Sequence, residues 1–173
     1  MVTDPAELAR LAQAMEAENL EFRRFLHARP AAADLLHEVG AQVEASIDCT
    51  QCAACCRELR VEVGEDDIQR IAGYLKLRPA EVRRMYTEPD PASGAPALLA
   101  QPAGACVFLH RSLCLIYEVR PEACRLFPYL TPRESSLGSR AESIWRRARF
   151  CPIVFNSLEE LKHRTGFHPH AGR

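Results

Sequence analysis

Eight cysteines stand in this chain of 173 residues, and four of them form one run, Cys49-Thr50-Gln51-Cys52-Ala53-Ala54-Cys55-Cys56. Two residues between cysteines let the backbone turn until both sulfurs face one centre. A third cysteine at the same interval extends that turn, and a thiolate from elsewhere in the chain closes a tetrahedral set. Where thiols are kept reduced, such a cluster is soft-metal chemistry rather than a disulfide framework. Cys106, Cys114, Cys124 and Cys151 raise the supply to two four-thiolate sites, or to one site with ligands in reserve. The triplet Cys49-x-x-Cys52-x-x-Cys55 has the spacing of bacterial ferredoxins, and Cys151-Pro152 has the local form of their further ligand. Both features favour an iron–sulfur cluster of the 4Fe-4S kind, but Cys-x-x-Cys serves zinc equally well.

Successive side chains point apart, so Cys55 and Cys56 are expected to face different ligand sets and to seed two neighbouring centres. A disulfide between them would be strained, and a chain this rich in apolar residues does not need staples. Cys124 falls in a short helix expected to start at Pro121, where unpaired backbone N–H groups favour a thiolate. Arg120 and Arg125 flank it. A four-thiolate centre is anionic, and these two guanidinium groups are expected to offset that charge from just outside the ligands. The plainer alternative is a surface ion pair between Arg120 and Glu118 or Glu122.

The elements that must position these sulfurs follow from periodicity and caps. Asp4-Pro5-Ala6-Glu7 opens a helix, with Leu8, Leu11, Met15, Phe22 and Leu26 at helical spacing up to Pro30. Leu35, Leu36, Val39, Val43 and Ile47 mark a second helix, expected to pair with the first and open to a protein partner. Leu59, Val61 and Val63 alternate as a short strand that Gly64 ends. Glu65, Asp66 and Asp67 form an acidic first turn ahead of Ile68, Ile71 and Leu75, which explains the two aspartates without catalysis. Pro79 starts a fourth helix. Residues 88–104, dense in proline and glycine, read as a loop with a short extended piece at Ala97-Leu98-Leu99. Two extended segments follow, around a turn at His110-Arg111-Ser112. Residues 129–140 read as loop and 144–149 as helix. Ser157-Leu158-Glu159-Glu160 is a capping box for a final helix, ahead of a frayed tail. The fold expected is α+β, mainly helical: a small metal-centred domain with short strands and an N-terminal helical pair. It spans 1–173 as a single domain, with the helical pair at 1–47, the cysteine core at 48–156 and a C-terminal helix and tail at 157–173.

At 47% hydrophobic and 26% charged, the composition is that of a globular protein. A net charge of -1 gives no support for nucleic-acid binding. No apolar run is long enough to cross a membrane, and the first residues lack a secretory pattern, so the expected location is cytoplasmic. His110 reads as an exposed turn residue, and His163, His168 and His170 as solvated tail residues rather than ligands. Trp145 with Arg146, Arg147 and Arg149 reads as a solvated basic face.

These motifs, in this order, resemble the CxxCxxCC family of zinc- or iron-chelating domains, also called YkgJ-like cysteine-cluster proteins. The resemblance rests on Cys49 to Cys56, the segment Val63 to Ile71, Gly104-Ala105-Cys106-Val107-Phe108-Leu109, Cys114-Leu115-Ile116-Tyr117 and Arg120-Pro121-Glu122-Ala123-Cys124-Arg125-Leu126-Phe127-Pro128, with Cys151 a late member. It implies metal binding through these cysteines and no assigned reaction. Flagellin lysine methylases look like distant relatives with a variant cluster. This chain has no glycine-rich nucleotide loop, so that activity is not carried over. Three functions fit: redox or electron transfer at an iron–sulfur centre, a non-catalytic structural-zinc module that binds a protein partner, or an enzyme that uses the metal as a Lewis acid.

Overall fold

The computed structural model describes residues 1–29, 31–130 and 137–169. The expected break at Pro30, the histidine at His170 and residues 131–136 of the expected loop at 129–140 lie outside the described residues, and residues 137–140 of that loop are helix instead. In chain order the elements are α1 (Pro5–Ala14), α2 (Glu16–His27), α3 (Ala32–Glu44), α4 (Cys49–Cys52), α5 (Ala54–Glu58), α6 (Glu65–Leu75), α7 (Pro79–Tyr86), β1 (Thr87–Pro89), β2 (Pro96–Leu98), β3 (Leu109–His110), β4 (Leu113–Cys114), a 3-10 turn at Tyr117–Val119, α8 (Glu122–Leu126), α9 (Leu137–Ala148) and α10 (Pro152–Arg164). The protein is α+β and mainly helical. Its contacts gather into two compact units, Met1–Asp48 with Pro128–Arg173, and Cys49–Phe127. Residues 128–156, expected with the cysteine core, are placed in the first of these.

In the helical unit, Asp4 caps α1 by accepting from the Glu7 N–H at 2.8 Å, with Pro5 in the first turn. One continuous helix was expected from Pro5. Instead the backbone breaks at Met15 (φ -95°, ψ 12°) and restarts as α2. The main packing of α3 is on α10 rather than on the helix before it, and α2 packs on α9. Leu8, Phe22, Leu36, Val39, Ile144 and Leu161 are among the buried side chains. The final helix starts at Pro152, not Ser157. Proline at its first position sets φ for a helix, and the buried Ser157 lies in its interior.

The cysteine unit has its own apolar core of Val63, Ile68, Ile71, Ala72, Val82, Leu98, Phe108 and Ile116. α6 and α7 form as expected, each opened by a carboxylate three residues in that reaches back to the backbone, Asp67 to the Gly64 N–H and Glu81 to the Arg78 N–H. The proline-rich stretch does more than loop. β1 and β2 pair antiparallel with Thr87 opposite Leu98, and a turn around Asp90 and Gly94 (φ +72°) joins them. The strand expected at Leu59–Val63 reduces to one bridge, Glu62 to Ala97, on the other side of β2. β3 and β4 form a two-residue hairpin in the expected place, with Leu109 opposite Cys114 and the turn residue Arg111 at φ +57°.

Candidate metal centre

Seven of the eight cysteines belong to the cysteine unit, and all eight are thiols. The cysteine run does not form one helix. Ala53 takes a left-handed conformation (φ 50°, ψ 17°) and splits it into α4, with Cys49 and Cys52, and α5, with Cys55 and Cys56. Left-handed alanine is uncommon and strained. Here it redirects the chain in the middle of the cysteine run.

From this start the later segments are tied back in sequence order. The Cys106 N–H donates to the Cys56 carbonyl at 2.7 Å, and the Leu109 N–H donates to the Cys106 carbonyl at 2.9 Å. Leu109 then pairs with Cys114 in the hairpin, and α4 lies against β4. Three polar side chains fasten the thiol-bearing backbone from outside the run. Arg57 donates to the Cys52 carbonyl at 3.0 Å and to the Arg111 carbonyl at the hairpin tip at 2.9 Å. Gln101 donates to the carbonyls of Cys106 and Leu109, both at 2.8 Å. Asp67 accepts from the Glu122 N–H at 3.0 Å, at the start of the helix that carries Cys124.

The result is a group of four thiols from four segments, Cys56, Cys106, Cys114 and Cys124, that feel one another's charge. Burial pushes Cys106 up to about 11, and the charges of Cys56 and Cys114 add to the rise. Burial also raises Cys114, again with Cys56 adding. Burial pushes Cys124 up to about 12, reinforced by Cys56, Cys106 and Cys114. Cys56 moves the other way, down to about 7. A hydrogen bond from the Cys55 side chain is the main cause, so these two neighbours meet rather than point apart as expected, and the charges of Arg57 and Arg120 help. The thiolate state is therefore concentrated on Cys56 and opposed at its three neighbours. Backbone N–H groups face the sulfurs: those of Phe108 and Leu109 at Cys106, and that of Ile116 at Cys114. Such donors favour thiolate over thiol. Among the described residues, no three Cys, His, Asp or Glu side chains are already gathered at metal-holding geometry.

The two flanking arginines part company. The Arg120 charge favours thiolate at Cys56, Cys114 and Cys124, and its guanidinium lies 4.2 Å from the centre of the Tyr117 ring. Arg125 is exposed on α8. The helix start at Pro121 does not lower Cys124 as expected. α8 has only five residues, so its dipole is small, and burial outweighs it. Cys151 lies in the helical unit. It is buried, caps α10, and donates its N–H to the Arg147 carbonyl at 2.8 Å.

His110 is exposed in β3, and His163 and His168 are exposed. Trp145, read as part of a solvated face, is instead half-buried with its ring edge-on to Phe22 at 5.8 Å. Arg147 is half-buried 4.7 Å from the centre of the Tyr129 ring, while Arg146 and Arg149 are exposed. Sequence reasoning missed Arg57, Gln101 and the second role of Asp67. Arg57 directly follows the cysteine run, which was its one signal, whereas Gln101 stands in a proline- and glycine-rich stretch with no pattern to mark it.

A family model for CxxCxxCC, described as "Putative zinc- or iron-chelating domain", matches residues 48–152. All eight cysteines fall inside that match. A protein of Methanocaldococcus jannaschii, itself uncharacterized, is 34% identical over 105 residues, which cover 60% of this chain and 55% of that protein. The chain thus spans about half the length of this curated relative. No solved structure matches.

Proposed function

The chain belongs to the CxxCxxCC family of zinc- or iron-chelating domains, and on that premise we propose that it is a cytoplasmic iron–sulfur protein with a role in electron transfer. One four-thiolate centre is drawn from Cys56, Cys106, Cys114 and Cys124. Cys49, Cys52 and Cys55 supply donors for a second, adjoining one, with the Cys55 side chain in contact with Cys56. The observation that carries this reading is the set of bonds that draw the four segments together: the Cys106 N–H on the Cys56 carbonyl at 2.7 Å, Leu109 opposite Cys114 in the hairpin, and Asp67 on the first N–H of the helix that carries Cys124.

The donor set fits a soft cation. Three of the four thiols resist ionisation because burial and like charge both oppose it, and a bound cation removes both penalties at once. The N–H groups facing Cys106 and Cys114 stabilise thiolate sulfur, and the Arg120 guanidinium offsets the negative charge of a four-thiolate set. An iron–sulfur cluster held there would supply one-electron redox chemistry. The spacing Cys49-x-x-Cys52-x-x-Cys55 also favours iron–sulfur over zinc.

Metal and acid-labile sulfide analysis of protein purified without oxygen tests the proposal. The expected result is a brown protein with iron and sulfide in comparable amounts, whose visible absorption bleaches on reduction. A colourless, redox-silent protein containing zinc and no sulfide contradicts it.

A further inference from the structure

Asp67 is one of few buried charged residues among those described, and capping its own helix does not account for all its bonds. Its Oδ2 accepts from the Gly64 N–H at 3.3 Å, which is the capping role. Its Oδ1 accepts from Arg70 Nη2 at 2.5 Å and from the Glu122 N–H at 3.0 Å, 55 residues away. Glu122 is the first residue of α8, and Pro121 before it has no N–H to offer. The first N–H groups of a helix have no partner within it. One carboxylate thus joins the start of α6 to the start of the short helix that carries Cys124, and α6 also packs on the 3-10 turn that leads to Arg120.

We propose that Asp67 is a positioning residue for the metal centre: its carboxylate braces the first turn of α8 and so sets where the Cys124 sulfur stands. The proposal rests on the reading of Cys124 as a ligand. A five-residue helix is far below the length at which helices hold their own shape in water. Without the brace, α8 opens locally while the apolar core behind it stays closed. Gln101 does the equivalent work at Cys106 through separate bonds, so the two thiols respond independently.

The test measures the alkylation rate of each cysteine by N-ethylmaleimide in the metal-depleted full chain, and follows Co2+ titration by its thiolate charge-transfer bands. In Asp67→Ala, labelling of Cys124 is expected to rise about tenfold or more, while Cys106 keeps its wild-type rate. Asp67→Asn keeps an acceptor oxygen for the Glu122 N–H and is expected to restore slow labelling. Glu122→Pro removes the donor itself. Proline suits a first helical position, and Pro121 (φ -51°, ψ 152°) already has the conformation needed before proline. Glu122→Pro is therefore expected to match Asp67→Ala, and Glu122→Gln, which keeps the N–H and the length of the side chain, to match wild type. This pair gives the same comparison should Asp67→Ala fail to fold. Apparent Co2+ affinity is expected to fall about tenfold in the two variants that lose the brace, with altered thiolate bands. Equal release of Cys106 and Cys124, or no release of Cys124, overturns the brace. Wild-type protein that takes up no Co2+ through thiolates sinks the metal reading instead, and leaves the labelling pattern to decide the brace.

Discussion

In the helical unit, the described helices run to 10 to 13 residues, and α1, α2, α3 and α10 each bury an apolar face. In the cysteine unit, the helices that carry thiols have only four or five residues. The long helices are held by burial, and two of their interior polar side chains tie distant segments together. Asn156 bonds Val2 and Pro152, and Lys162 bonds Glu18 and Glu159, both at 2.7 Å. The short helices have no comparable face to bury. An apolar core stands behind them, but two of the three are fixed by a side-chain bond to their backbone, Arg57 at α4 and Asp67 at α8, with Gln101 doing the same for the Cys106 loop. The difference teaches that stability and thiol placement are separable in this molecule, since different interactions carry them.

The sharpest way to break that comparison is to damage the helical unit. Phe22 is fully buried and meets Phe25, Phe167 and Trp145. Phe22→Ala is expected to cost roughly 3–5 kcal/mol in chemical denaturation while leaving metal per folded chain unchanged. Metal lost in proportion to stability would show that the two properties are coupled after all. Lys162→Met is a milder version. It removes a buried ammonium from two half-buried carboxylates that can rehydrate, and is expected to cost about 1–2 kcal/mol, again without metal loss.

Two smaller effects sharpen the account of the cysteine unit. The thiolate is the reactive form, and Cys56 is lowered to about 7 whereas Cys106 is raised to about 11. In metal-depleted protein, alkylation of Cys56 is therefore expected to climb as pH rises through about 7 and to level off above it. Cys106 should stay slow across that range. Site-resolved labelling between pH 5.5 and about 9 reads this directly. Arg120→Ala removes one of the charges that lower Cys56. Its thiolate fraction at neutral pH then drops, and labelling of Cys56 is expected to slow by about two- to fivefold. An unchanged rate would remove Arg120 from the neighbourhood of the centre.

What the sequence made legible follows the same division. α6 and α7 were readable because their caps and apolar stripes are local: Gly64 with Asp67, Arg78 with Glu81 ahead of Pro79, Ile68 with Ile71. The cysteine spacing, too, pointed to chemistry before any coordinates. The Met15 break was hidden because the apolar stripe continues through it. The start of α10 was misplaced because Ser157 and Glu160 imitate a cap, while the true signal, Pro152, had been read as part of a metal-ligand motif. β1 was hidden in a proline-rich stretch whose strand propensity is low, and it forms only because β2 offers it a partner. The bonds made by Arg57, Gln101 and Asp67 were not legible for a deeper reason, even where, as at Arg57, the residue's position next to the cysteine run was a signal. Each is a pairing between positions that no local period connects, and Asp67 already had a sufficient local explanation.

The central claim is that Cys56, Cys106, Cys114 and Cys124 hold one centre together. Metal per chain, measured on anaerobically purified wild type and on the four single Cys→Ser variants, tests it most directly. Each substitution is predicted to remove the same centre, with equal losses and the same change in spectrum. Full wild-type metal content in all four variants would contradict it.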